Sequence, residues 1–404
     1  MSRRSRSRTR RSSSGSTSIN TDAAGLLDDW QDVLAIDHHC HPLRRWPYSL
    51  TAIDLRSVFT EAIDPRIPRE HVPQTAAYRD ALRRLAGELG CAAEEEAILS
   101  ARNAADPAEL GRQLLERSRT GLLLLDAGFG GGQAFTVEEH LAATGVPGQA
   151  IVRLETLAET MVRQAADPGE WLARVREALR DAVRHGAVGI KSICAYRASL
   201  WLRPVNPENL AIAFTRLHGL ALEADRPRIS GDTLCHALLF EAAKECQSLD
   251  VPLQVHCGFG DPDEDLAEAS PLGLRALFND PAYAGLRVIL LHCYPFHRES
   301  AYLCSVFPDV YMDLSLTIPM AGLEGNRAVR EALGLCPWSK LLYASDATRL
   351  PEVYFVAAQV HREALAEAFG ELVERRILGR DAALAAGRRV LAGNAESVYH
   401  LKPS

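Results

Sequence analysis

The sequence is poor in lysine. Only Lys191, Lys244, Lys340 and Lys402 occur in 404 residues, although lysine and arginine together number 45. The place of each lysine is therefore informative. Positive charge is in deficit overall, with a formal net charge of −7 and a pI near 6.0. That balance argues against a nucleic-acid or membrane-surface partner and leaves a small molecule as the expected one. No apolar run approaches the roughly 18 residues that a membrane-spanning helix requires. A disulfide framework is missing too. The nine cysteines are odd in number and scattered, which fits a reducing compartment and a cytoplasmic location.

Apolar residues are almost absent from the first twenty positions, MSRRSRSRTRRSSSGSTSIN. Such a segment cannot bury enough surface to offset its chain entropy, so residues 1–22 are expected to form a disordered tail. The arginine pairs bring an export signal to mind, but no apolar stretch of about 7–15 residues follows them. The remainder is ordinary: over the whole chain, 47% hydrophobic and 24% charged residues suffice for a large core.

Eight short apolar runs recur along residues 23–404, most of them followed by a helical pattern. They are VLAIDH (33–38), GLLLLDAGF (121–129), AIVRLE (150–155), AVGIKS (187–192), VPLQVHC (251–257), RVILLHC (287–293), DVYMDLS (309–315) and KLLYASD (340–346). Continuous apolar strands alternating with helices predict a parallel sheet buried on both faces. Eight of them predict an α/β fold of the (β/α)8 TIM-barrel type. The long gap after the first strand, about residues 50–118, has helical periodicity and reads as a helical insertion. The acidic stretch GFGDPDED (258–265) reads as a loop placed to act as a lid.

In such a barrel the active site lies at the C-terminal ends of the strands. His39 and His41 stand at the end of strand 1, Lys191 on strand 4, His256 on strand 5, His292 on strand 6 and Asp346 on strand 8. Strand alternation places His39 and His41 on one face and turns His38 and Cys40 away. Four imidazoles and a carboxylate suit a divalent transition metal. Asp126, Glu155 and Asp313 also fall late in their runs, where a carboxylate either meets a substrate amine or binds backbone. Tyr196 and Arg197 follow strand 4, and Arg197 could pair with a substrate carboxylate.

The set H-x-H on strand 1, K on strand 4, H on strands 5 and 6 and D on strand 8 resembles the amidohydrolase superfamily. The strings LLLLDAGF, GIKSICAYR, QVHCGFGD, VYMDLS and ASDATRLPE are similar to its amidohydrolase-2 branch, which includes the N-terminal barrel of FluG-like proteins. The resemblance covers residues 30–400. It implies a metal-dependent hydrolase of a C–N amide bond in a small carboxylated substrate, with γ-glutamyl amides as candidates. It implies one or two divalent ions, zinc foremost and manganese as an alternative. His39, His41 and Asp346 would bind the first, His256 and His292 a second or the same one, and Lys191 would bridge two ions if carboxylated. Asp346, Lys191 and His292 would carry the catalysis, with Tyr196, Arg197, Asp126 and Glu155 around the substrate. A homodimer is the default assembly.

Two rival functions remain at this stage. Decarboxylation occurs in the same branch, but Lys191 speaks against it. A non-catalytic barrel is disfavoured by the intact ligand set. His71, His140, His185, His218, His236, His361 and His400 read as surface or capping residues. Cys40, Cys257 and Cys293 read as small core residues.

Overall fold

The structure is a computed structural model that describes residues 21–401 apart from 130 and 224–226. Most of the expected tail, residues 1–20, lies outside the described residues. Thr21 opens a helix that runs to Trp30.

Seven strands form one parallel sheet in sequence order. They are β1 (Ala35–Cys40), β2 (Thr120–Asp126), β3 (Gly148–Arg153), β4 (Gly189–Ser192), β5 (Leu253–Cys257), β6 (Val288–His292) and β7 (Val310–Met312). The eighth run is extended and lies between the two sheet edges. Met312 N donates to Lys340 O (3.0 Å) and Leu342 N to Met312 O (2.9 Å) on one side. On the other, His38 N donates to Tyr343 O (3.3 Å) and Asp346 N to His39 O (3.0 Å). This is the place of an eighth strand, and the curled sheet is consistent with a TIM barrel.

The strand residues are buried on both faces, as the continuous apolar runs require. Ile36, Leu124, Ile151, Ile289, Leu291 and Leu342 pack together with Val398, the last residue of the C-terminal helix, and Tyr399 just after it. That set fills the inside of the curled sheet. The larger set on the outside meets the helices, and Cys40, Cys257 and Cys293 belong to it. All three are buried free thiols.

Between β1 and β2 the chain forms the helices Ala52–Ser57, Ala76–Leu89, Glu95–Ala104 and Pro107–Arg117. Their ends follow from local chemistry. Thr51 and Asp54 form a reciprocal capping box, and Asp106 caps the helix that Pro107 opens. Helix Pro351–Glu374 is buried along most of its length and is covered by the N-terminal helix. There the rings of Trp30 and Phe369 meet edge to face at 5.9 Å, and Arg362 donates to Trp30 O. Among the described residues no helix is long and apolar enough to cross a membrane.

Two sequence expectations change here. His140, His236 and His361 are buried core groups rather than surface or capping ones. Each has a backbone partner: His140 accepts from Leu43 N, His236 bonds Ser199 O, and His361 bonds Ala357 O. The third strand is also shorter than its apolar run, ending at Arg153, so Glu155 sits in the first turn of helix Leu154–Glu159.

Candidate metal centre

The C-terminal end of β1 departs from simple alternation. Its pairing with β2 runs from Asp37↔Leu123 to Cys40↔Leu125, so β1 advances one residue further than its partner. A bulge of this kind re-aims the side chains beyond it. His38 is consequently not turned out of the barrel. Its Nδ1 is 3.1 Å from Tyr399 Oη and its Nε2 is 2.9 Å from Asp313 Oδ2, within the inner set. His39 and His41 lie beyond it, their rings 5.1 Å apart.

Asp346 joins these two rings. Its Oδ1 is 3.2 Å from His39 Nε2 and 3.1 Å from His41 Nε2, and its Oδ2 is 3.8 Å from His292 Nδ1. Lys191 Nζ lies 2.8 Å from His39 Nε2 and 3.8 Å from Asp126 Oδ2. His39, His292 and Asp346 form one group able to hold an ion, and His39, His41 and Asp126 form another. The strand-end residues His39, His41, Lys191, His292 and Asp346 thus meet at one place. His256 is adjacent, its ring 4.5 Å from that of His292, but it belongs to neither group.

Hydrogen bonding tests whether this donor set suits a cation. His41 Nδ1 contacts Asp126 O at 2.8 Å, and a carbonyl only accepts, so Nδ1 carries the proton. In the neutral ring Nε2 is then a bare lone pair, and it faces a carboxylate oxygen at 3.1 Å. Two acceptors face each other there, an arrangement that a proton or a metal ion relieves. His292 is oriented in the same way. Its Nδ1 contacts Ser315 Oγ at 2.8 Å, and Ser315 Oγ donates to Asp313 Oδ1 at 2.7 Å, which leaves His292 Nε2 bare. The residues fit a divalent ion, and carboxylate- or hydroxyl-held imidazoles are the usual support of such ligands.

Electrostatics agree. Burial, reinforced by the Lys191 charge, lowers His39 to about 3. Burial also drives His292 well below the ordinary range. Both rings are therefore neutral, the form that ligates. Burial opposes ionisation of Asp346, but its close contacts with His292, His39 and His41 outweigh it and hold the carboxyl low. Burial and the nearby Arg153 lower Lys191. The backbone is strained at the same spot: His292, Cys293 and Asp346 have φ of 66°, 64° and 52°. Such conformations persist only where the surroundings enforce them, and Asp313 Oδ1 does so by accepting His292 N at 2.7 Å.

A cavity of about 510 Å³ opens over the centre, lined by His41, Lys191, His256, His292 and Asp346. Tyr196 and Arg197 line it too. Arg197 Nη1 is buried without a hydrogen bond, 3.6 Å from Glu159 Oε1. Asp126 and Glu155 are placed differently. Asp126 is held by Arg153 through Nε (2.9 Å) and Nη2 (2.7 Å) beneath the cavity. Glu155 accepts from Ser192 Oγ and Ile193 N, and so braces the turn after β4 rather than facing a substrate.

Several cavity residues had not been singled out from the sequence. Arg153 ends β3 and lines the cavity, and the strand-end rule that picked Lys191 would have found it. Glu61, in the segment after helix Ala52–Ser57, is raised to about 7 by burial and then by the charges of Asp346 and Asp261. Phe129 lies between the rings and guanidinium groups of His41, Arg153 and Arg349. Nothing local in the sequence marks Glu61 or Phe129.

A curled parallel sheet with imidazoles and a carboxylate gathered at the C-terminal strand ends defines a metallohydrolase-like barrel. The chain belongs to the amidohydrolase family, whose model matches residues 36–401. It is 28% identical over 401 residues to protein fluG of Emericella nidulans, covering 91% of this chain and 45% of fluG. The chain thus spans about half the length of that curated relative. Among solved structures it resembles a protein from Lactobacillus casei ATCC 334 presumed to be a metal-dependent hydrolase. That match has 31% identity and a TM-score of 0.84 over 93% of this chain and 97% of the other. A uronate isomerase from Thermotoga maritima shares the fold at 14% identity and a TM-score of 0.67, over 94% and 97% of the two chains.

Proposed function

We propose that the protein is a metal-dependent amidohydrolase that cleaves the C–N amide bond of a small carboxylated substrate, with γ-glutamyl amides as the leading class. The observation that carries this reading is the meeting of His41, His292 and Asp346 with Lys191 on the floor of one cavity, with His39 buried against Asp346 and Lys191. His39, His41 and Asp346 would hold a first ion, zinc by the nitrogen-rich donor set. His292, with His256 beside it, would complete the shell or hold a second. A bound divalent ion supplies a Lewis acid that polarises a carbonyl and acidifies water.

The chain's own groups do the remaining work. Asp346, held ionised, accepts the proton of the attacking water and returns it to the leaving amine. Arg197, which lines the cavity with Glu159 3.6 Å from its Nη1, pairs with the substrate carboxylate. Tyr196 stacks at 4.3 Å on His256 and walls the same side. Lys191, lowered by burial, has access to the neutral amine that reaction with CO2 to a carbamate requires. The retained Lys191 favours hydrolysis over decarboxylation.

The experiment is a screen of γ-glutamyl amides, N-acyl amino acids and small lactones with zinc- and manganese-loaded protein. Hydrolysis of an amide member supports the reading. Release of CO2 without incorporation of water contradicts it.

A further inference from the structure

The geometry points to Glu264 as the residue that positions His256, a role that rests on the cavity being the catalytic centre. Glu264 belongs to the acidic loop after β5. Its neighbours Asp261 and Asp263 line the cavity, whereas the Glu264 side chain turns inward and is 2% exposed. Its Oε2 lies 2.8 Å from Nε2 of His256, itself 2% exposed. The contact is out of line for a straight hydrogen bond. No other hydrogen-bond partner among the described residues serves either carboxylate oxygen or either ring nitrogen. Leaving a buried polar group unpaired costs about 1–3 kcal/mol. These two groups therefore have each other, and whatever enters the cavity.

The loop is fastened in this position. Arg228 Nη2 is 2.9 Å from Asp263 Oδ2, Gly258 N donates to Ala269 O (3.0 Å), and Phe259 N donates to Tyr294 O (2.6 Å). Gly260 allows the close fit. A Cβ there would come within 2.3 Å of Tyr196 Oη and 2.8 Å of Glu264 Oε2. The chemical consequence follows from what a carboxylate can do. It only accepts, so its closeness to His256 favours the ring proton on Nε2 and a free Nδ1 lone pair. Glu264 thus selects the tautomer of a cavity-lining imidazole, as Ser315 does for His292.

Histidine-selective ¹⁵N NMR on the metal-free protein tests this, with His256→Asn assigning the signal. Wild type is expected to show His256 as the Nε2–H tautomer. Glu264→Leu removes the acceptor and is expected to give a tautomer mixture. Glu264→Gln keeps a carbonyl acceptor and is expected to restore the wild-type tautomer. An unchanged tautomer in Glu264→Leu overturns the assignment, as does a Glu264→Gln spectrum matching that of the leucine variant. Should the leucine variant not fold, Glu264→Asp draws the carboxylate back by one methylene. Partial loss of the fixed tautomer supports the assignment, and an unchanged spectrum overturns it. The readout needs no metal. Failure of wild type to take up zinc would refute the catalytic centre, whereas an unchanged tautomer refutes only the role of Glu264.

Discussion

Replacing Ser315 by alanine probes the support of the centre without touching a ligand. Ser315 is fully buried and links His292 Nδ1 (2.8 Å) to Asp313 Oδ1 (2.7 Å). Without its hydroxyl, the Nδ1–H of His292 loses its acceptor. Asp346 Oδ2, a member of the candidate centre, lies 3.8 Å from that nitrogen, too far for a hydrogen bond. An orphaned buried donor costs about 1–3 kcal/mol. With an unfolding entropy of about 2.1 cal/mol/K per residue, a chain of this size should lose roughly 1–4 °C in Tm. Loss of a ligand's outer hydrogen-bond partner typically weakens metal affinity or activity by about 10–100-fold. The assay is calorimetric titration of zinc into metal-free wild-type and Ser315→Ala protein, with thermal unfolding of both. A small Tm change with a large loss of zinc affinity is expected. Equal affinities in the two proteins would refute the claim that His292 is a ligand held by Ser315.

Three other perturbations are informative. Asp346→Asn should lower turnover by about 10²–10⁴-fold, the usual contribution of a positioned proton-transfer group, and a variant with wild-type kcat would remove Asp346 from the mechanism. Arg197→Ala should raise KM by roughly 10–150-fold, from about 1.5–3 kcal/mol for a charged hydrogen bond, and only for carboxylated substrates. An equal rise for carboxylate-free analogues would count against the pairing. Stability should also depend on pH through His140 and His361, both lowered to about 4 by burial. The unfolded chain takes up these protons near the ordinary value of about 6.5, so their contribution is intact above that pH and is lost as pH falls toward 4. Each amounts to about 3 kcal/mol at most, and by denaturant titration wild type should lose more stability between pH 7 and pH 5 than His361→Leu does. Parallel pH dependences would rule His361 out as a contributor.

The alternation of strands and helices was legible because parallel strands buried on both faces leave long apolar runs. Strand ends were legible as well, and with them His39, His41, Lys191, His292 and Asp346. What escaped depended on details that period-two reasoning cannot see. The β1 bulge, not visible in IDHHCHPL, carries His38 to Asp313 and Tyr399. An early helix start puts Glu155 behind the turn after β4. Glu61 reaches the cavity and Glu264 reaches His256 from loops, where no periodicity constrains a side chain. The buried histidines at 140, 236 and 361 differ from surface ones only through tertiary partners far along the chain or one helical turn away.

The central claim is that His39, His41, His292 and Asp346 hold a catalytic divalent ion. The most direct measurement is elemental analysis of protein purified without added metal, repeated after zinc loading and removal of excess, for wild type, His39→Ala and Asp346→Ala. At least one zinc per wild-type chain, lost from both variants, is the predicted result. Wild-type protein that retains no divalent ion after loading, or variants that retain as much as wild type, would contradict it.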